Sequence, residues 1–138
     1  MRVLLIGGSG TFGLPTCRVL AGLDEVDEVV IGARNLEKAQ SAARQCGDNV
    51  SAIQVDATDV PALTEVMDNF DFILNVSSYK TELTAVQAAI AAGKNYCDMI
   101  STTTAHEQLH AAAQEAGITA ITGIGLGAGI INMIAVYM

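Results

Sequence analysis

The sequence predicts an α/β domain: a doubly wound parallel sheet of about six strands with helices on both faces. Three observations carry that prediction. Short apolar runs alternate with segments of helical periodicity; the first run empties directly into a glycine-spaced turn; and the 138 residues are 51% hydrophobic with only 4% aromatics. A core of Ala, Val, Ile and Leu beneath near-continuous apolar strands is what a sheet covered on both faces requires. With right-handed crossovers, such a sheet opens a ligand crevice at the carboxyl ends of strands one and four.

Composition excludes several functions. The net charge of −8 opposes nucleic acid, so an anionic ligand has to be held by local dipoles and single cations. Cys17, Cys46 and Cys97 are an odd number without C-x-x-C spacing, which indicates neither a disulfide framework nor a zinc knuckle and points to the cytoplasm. The apolar start is too short for a signal peptide. Ala116 to Met138 is uncharged, and Gly123-x-x-x-Gly127 and Gly125-x-x-x-Gly129 mimic a membrane helix-pairing motif. The clustered glycines and the β-branched residues before them favour a buried strand, so no membrane partner is expected.

The first strand is Val3 to Ile6, followed at once by Gly7-Gly-Ser-Gly-Thr-Phe-Gly13. Strand, glycine turn and helix in that order make a phosphate cradle. Glycines allow positive φ, leave backbone bare for a pyrophosphate and let the helix pack close to its strand. Gly7, Gly8, Ser9, Gly10, Thr11, Phe12 and Gly13 are the candidate binding residues. Both Gly8-x-Gly10-x-x-Gly13 and Gly7-x-x-Gly10-x-x-Gly13 fit, leaving the register open. Gly13, Thr16, Cys17 and Leu20 form the buried face of the first helix, which Gly22 stops; Pro15 is expected to cost that helix one hydrogen bond.

The acidic turn from Asp24 leads to a second strand, Val29 to Ile31, ending Gly32-Ala33-Arg34-Asn35. Where NAD-binding versions of the fold place an acidic residue for the adenosine ribose, this chain has Arg34, whose planar fork suits the 2′-phosphate of NADP. Asn35 both borders that site and caps a helix expected to run through Cys46, closed by Gly47. A third strand, Ser51 to Asp56, brings Asp56 and Ala57 to the adenine pocket, and Pro61 starts a short helix to Met67. The fourth strand, Asp71 to Val76, empties into Ser77, Ser78 and Tyr79, expected to border the nicotinamide half.

Leu83, Val86 and Ile90 form the next helix's stripe, closed by Gly93, and Asn95 to Met99 is a fifth strand presenting Tyr96, Cys97 and Asp98. His106-Glu-Gln-Leu-His110 matches H-E-x-x-H, but Thr104 to Glu107 is also a capping box and no third ligand follows, so no metal is expected. Ile118 to Ile121 is the sixth strand, and Gly123 to Gly129 leads into an apolar helix from Ile130. The fold is thus of the Rossmann type.

The order of these residues resembles the saccharopine dehydrogenase (glutamate-forming) family, related to homospermidine and carboxynorspermidine synthases. The resemblance spans the chain and rests on Gly7 to Gly13, Ala33-Arg34-Asn35, Asp71 to Tyr79, Val86 to Gly93 and, most specifically, Ala116 to Gly129. It implies an NADP-binding domain over residues 1–129, with 130–138 the start of a helix leading to a catalytic and dimerisation domain outside this chain. It implies hydride transfer to or from an imine or secondary amine of an amino acid or polyamine, and a homodimer. Catalytic residues are not assigned. Where the family often carries Asp-Pro-Gly this chain has Gly127-Ala128-Gly129, which removes an acidic group and a rigid turn beside the substrate. The alternative is a non-catalytic NADP-sensing domain of the same fold; short-chain-dehydrogenase chemistry lacks its Tyr-x-x-x-Lys.

Overall fold

The computed structural model describes residues 1–100, 103–125 and 129–137, with the side chains of 103–108 and 132 outside the description. Six parallel strands, β1 (Arg2–Ile6), β2 (Glu28–Ala33), β3 (Val50–Gln54), β4 (Phe72–Asn75), β5 (Asn95–Asp98) and β6 (Ala120–Ile121), lie in the order β3-β2-β1-β4-β5-β6. Chain direction along the sheet reverses between β1 and β4, and the crevice of a doubly wound fold opens there. Register fixes its floor: Ile6 pairs with Gly32 on one side and Asn75 on the other.

Alternation along each strand divides the core in two. Val3, Leu5, Val29 and Ile31 face α1 (Gly13–Ala21) and α2 (Leu36–Ala43), burying Cys17, Ala39, Ala42 and Ala43. Leu4, Ile6, Val30, Ile73 and Tyr96 face α3 (Val60–Met67) and α4 (Glu82–Ala91). At about 25 cal/mol per Å² of apolar surface, removing both strand faces from water drives the assembly. α5 (Thr103–Glu115) follows β5, and α6 (Ile131–Tyr137) follows β6.

Four details depart from the sequence reading. Leu83 is exposed, and α4 buries Ala85, Val86, Ala88 and Ala89 instead, because small side chains let the helix approach the sheet closely. α2 ends at Ala43, and Arg44 to Cys46 form turns before Gly47. β6 is only Ala120–Ile121, at the sheet edge, where one flank pairs. Pro15 is the third residue of α1, still among the first-turn positions whose N–H has no intrahelical acceptor, so it costs the helix no bond.

Among the described residues no helix is long and apolar enough to cross a membrane.

Candidate functional site

The glycine turn follows directly on β1. Gly7 leaves β1 with φ +84°, donates its N–H to the Gly32 carbonyl at 3.2 Å, and accepts from the Gly10 N–H at 3.0 Å. A β-carbon on Gly7 would lie 2.8 Å from Ser77 Cα, so the loop after β4 sits directly on it. Gly13 opens α1; a β-carbon there would overlap the Gly7 carbonyl oxygen and lie 2.5 Å from Gly8 Cα. A β-carbon at Gly8 would lie 2.9 Å from the Leu5 side chain and 3.0 Å from that of Ile31, whereas at Gly10 it would meet only the Gly7 carbonyl oxygen at 3.3 Å.

The turn ends in free donors. Phe12 caps α1 without a side-chain bond, while Leu14 N–H goes to the Gly10 carbonyl and Thr16 N–H to that of Phe12. Among the described residues the N–H groups of Thr11, Phe12 and Gly13 have no hydrogen-bond partner. They lie at the positive end of a helix dipole, which favours an anion by about 0.3–1 kcal/mol before any direct bond is counted. Thr11 and Phe12 are exposed and Ser9 and Gly10 half-buried, forming the outer rim of the turn.

Beside the turn a cavity of about 180 Å³ is walled by Gly7, Gly32, Arg34, Asp56, Ser77 and Thr81, with Ser78 and Ala57. A second, of about 450 Å³, continues past Arg34 and Asp56 to Gln54, Ala62 and Val66. Parallel pairing of β1, β2 and β3 brings these strand ends together. Arg34 is exposed and lines both cavities, and its carbonyl accepts from Gln54 Nε2 at 3.1 Å. The Asn35 side-chain oxygen accepts the Lys38 N–H at 2.8 Å, so it caps α2. One Asp56 oxygen accepts both the N–H and the hydroxyl of Thr58, and these bonds, aided by Arg34, hold its carboxyl below the usual range.

Ser77 and Ser78 share the smaller cavity with Arg34 and Asp56, next to the glycine turn. Tyr79, in a 3₁₀ turn, is 64% exposed and outside both cavity walls, as is Phe12 at 59%. Sequence reasoning missed Gly32, Val55 and Thr81. Gly32 did carry a signal, being a glycine inside a buried strand: a β-carbon there would lie 2.9 Å from Val55 Cγ1.

Other candidates resolve differently. Cys17, Tyr96 and Cys97 are core residues. His110 is exposed on α5, while the rest of the H-E-x-x-H motif and the capping box lie outside the described side chains; among the described residues no three His, Cys, Asp or Glu converge on a metal position. Gly127 and Ala128 are likewise outside the description. A wider opening of about 650 Å³ lies between α4, α5 and β6, lined mostly by aliphatic side chains such as Val86, Ile90 and Leu109. It flanks the sheet edge, away from the switch point, and lacks a phosphate-binding turn.

Comparison with known proteins follows the same line. A family model, the saccharopine dehydrogenase NADP binding domain, matches residues 3–121. Saccharopine dehydrogenase (NADP(+), L-glutamate-forming) of Saccharomyces cerevisiae is 32% identical over 135 residues, 98% of this chain and 29% of that protein. Carboxyaminopropylagmatine dehydrogenase of Synechocystis sp. is 23% identical over 153 residues, 99% of this chain and 37% of that protein. The solved structure of apo histidine-tagged saccharopine dehydrogenase (L-Glu forming) from Saccharomyces cerevisiae matches with a TM-score of 0.89 at 32% identity, over 99% of this chain and 30% of that one. The chain spans about a third of the length of these relatives.

Proposed function

Since this chain belongs to the saccharopine dehydrogenase NADP-binding domain family, we propose that it holds NADP(H) across the carboxyl ends of β1 to β4 and serves an oxidoreductase of that kind. The residues present fit a dinucleotide. A turn with no room for a β-carbon at Gly7 or Gly13 and three unpartnered N–H groups suit the pyrophosphate. The observation that carries the choice of cofactor is Arg34 at the mouth shared by both cavities, where it meets a 2′-phosphate. Asp56, Ala57, Ser77 and Ser78 close the adenosine side; Asn35 orients the start of α2; Tyr79, Ser9, Thr11 and Phe12 border the rim.

When bound, the nicotinamide supplies the hydride donor or acceptor. The chain's own part is to bind and orient: Gly7 to Gly13 anchor the diphosphate, and Arg34 fixes the far end. In a protein of the relatives' length, the reading extends to reduction or oxidation at an imine or secondary amine of an amino acid or polyamine. It places residues 1–129 as the cofactor domain and 130–138 as the entry to the substrate and dimer-forming part. The exposed Ile131, Met133, Ile134, Val136 and Tyr137 on α6 support that division, since an apolar helix face of this extent marks a contact surface.

Titration calorimetry tests the cofactor assignment. NADPH is expected to bind more tightly than NADH, and Arg34→Glu to narrow or reverse the preference. A charge-assisted bond contributes about 1.5–3 kcal/mol, roughly tenfold to hundredfold in Kd. Equal affinities for both nucleotides in the wild-type chain would refute it.

A further inference from the structure

Three buried polar residues, Asn75, Tyr96 and Asp98, lie behind the cavity wall and have no part in the site as described. Each is at most 4% exposed in an aliphatic interior, where polar groups persist when their bonds are complete. Their hydrogen bonds run in one consistent direction. Both oxygens of Asp98 accept: Oδ1 from the Gly123 N–H at 2.9 Å and Oδ2 from the Tyr96 hydroxyl at 2.9 Å. Having given its one proton to Asp98, the Tyr96 oxygen accepts from Asn75 Nδ2 at 3.2 Å. That orients the Asn75 amide with Oδ1 toward Ser77, where it accepts the Ser77 N–H at 3.1 Å and the Ser77 hydroxyl at 2.6 Å.

The wire ends at the site, because Ser77 walls the 180 Å³ cavity and rests on Gly7. With its proton committed to Asn75, the Ser77 oxygen is left with lone pairs for whatever enters; the Thr81 hydroxyl lies beside it and donates to the Ser78 carbonyl at 3.0 Å. We propose that Asp98, Tyr96 and Asn75 are positioning residues that set Ser77 as a hydrogen-bond acceptor, so that the place beside Gly7 takes a sugar hydroxyl of the dinucleotide and disfavours a phosphate oxygen. The proposal rests on the NADP(H) reading above and refines it: Arg34 receives phosphate at one wall, and Ser77 receives a hydroxyl proton at the other. The same carboxylate ties this wall to the backbone at Gly123, and its own carbonyl receives the Ile124 N–H at 3.0 Å, linking the wall to the segment that leaves β6.

The test uses the chain with NADPH as probe. Tyr96→Phe removes the hydroxyl and keeps the ring; Asp98→Asn keeps the shape and lets the wire reverse; Ser77→Ala removes its end. Each is expected to weaken NADPH binding about threefold to tenfold by calorimetry, and Tyr96→Phe combined with Ser77→Ala to be no weaker than Ser77→Ala alone. A merely structural Tyr96 would give losses that add, and additive losses overturn the proposal. So does a Tyr96→Phe chain whose affinity matches wild type while Ser77→Ala weakens it. In the ligand-free chain, the Ser77 backbone amide and the Asn75 side-chain amide are expected to shift by NMR in both Tyr96→Phe and Asp98→Asn; unmoved resonances overturn the wire even if NADPH binds. Shifted resonances in a chain that binds no NADPH remove the cofactor reading and the proposed ligand with it, a pattern that failure of the wire alone does not produce.

Discussion

At the scale of single residues, Gly13 states the physics of the site most compactly. Its missing β-carbon is space already filled by the Gly7 carbonyl and Gly8 Cα, which are backbone atoms that cannot swing aside. Gly13→Ala is therefore expected to cost about 1–3 kcal/mol as an overpacking strain, seen as a lowered urea midpoint, and to weaken NADPH binding by displacing the turn; unchanged stability would mean the turn yields freely. Cys17 predicts a pH effect. Burial, with Cys46 beside it, pushes its thiol up to about 12, whereas an unfolded thiol ionises near about 8.5. The folded state thus holds the proton more tightly, and this contribution to stability is full below about pH 8.5 and lost as pH rises toward 12. Urea midpoints are expected to fall over that range, and less steeply in Cys17→Ala; parallel pH profiles would contradict it. Residue identities in the glycine turn were legible because few alternatives to glycine exist there. The contact of Ser77 with that turn was not, since it depends on Ser77 folding back against Gly7 beside Arg34 and Asp56.

At the scale of elements, local chemistry sets where helices begin and end. Asn35 and Asp59 cap α2 and α3 through Lys38 N–H and Ala62 N–H, and Asn35→Ala is expected to cost about 1 kcal/mol of stability. α4 and α5 end alike. Gly93 and Gly117 have φ of +64° and +68°, and in each case the glycine N–H and the next N–H return to the carbonyls three and five residues earlier. A β-carbon at Gly93 meets nothing within 4 Å, so Gly93→Ala isolates the backbone cost of a left-handed residue, about 1–2 kcal/mol, with NADPH affinity unchanged. Thermal unfolding and calorimetry on that variant check both halves. Strands were readable as apolar runs and helix ends as glycines. The buried face of α4 was not, because it is made of alanines, which carry little hydrophobic signal, while the larger Leu83 points outward.

At the scale of the whole molecule, the order β3-β2-β1-β4-β5-β6 does the organising. It places two helical layers on opposite faces and leaves the carboxyl ends of β1 and β4 uncovered at the switch point, where Gly7, Arg34, Asp56 and Ser77 converge from four strand ends. The alternation of strands and helices foretold a doubly wound parallel sheet with its crevice between strands one and four; the polar wire from Asp98 to Ser77 it did not, since cross-strand pairing of β4 with β5 is a product of the fold. The opening of about 650 Å³ at the α4, α5 and β6 edge offers a competing location for a ligand. Hydrogen–deuterium exchange of the chain with and without NADPH decides between them. The account predicts slowed exchange at the Thr11, Phe12 and Gly13 amides and around Arg34, Ala57 and Ser77. Protection confined to Val86 to Ile90 and Leu109 to Thr122, with residues 7–13 unchanged, would contradict it.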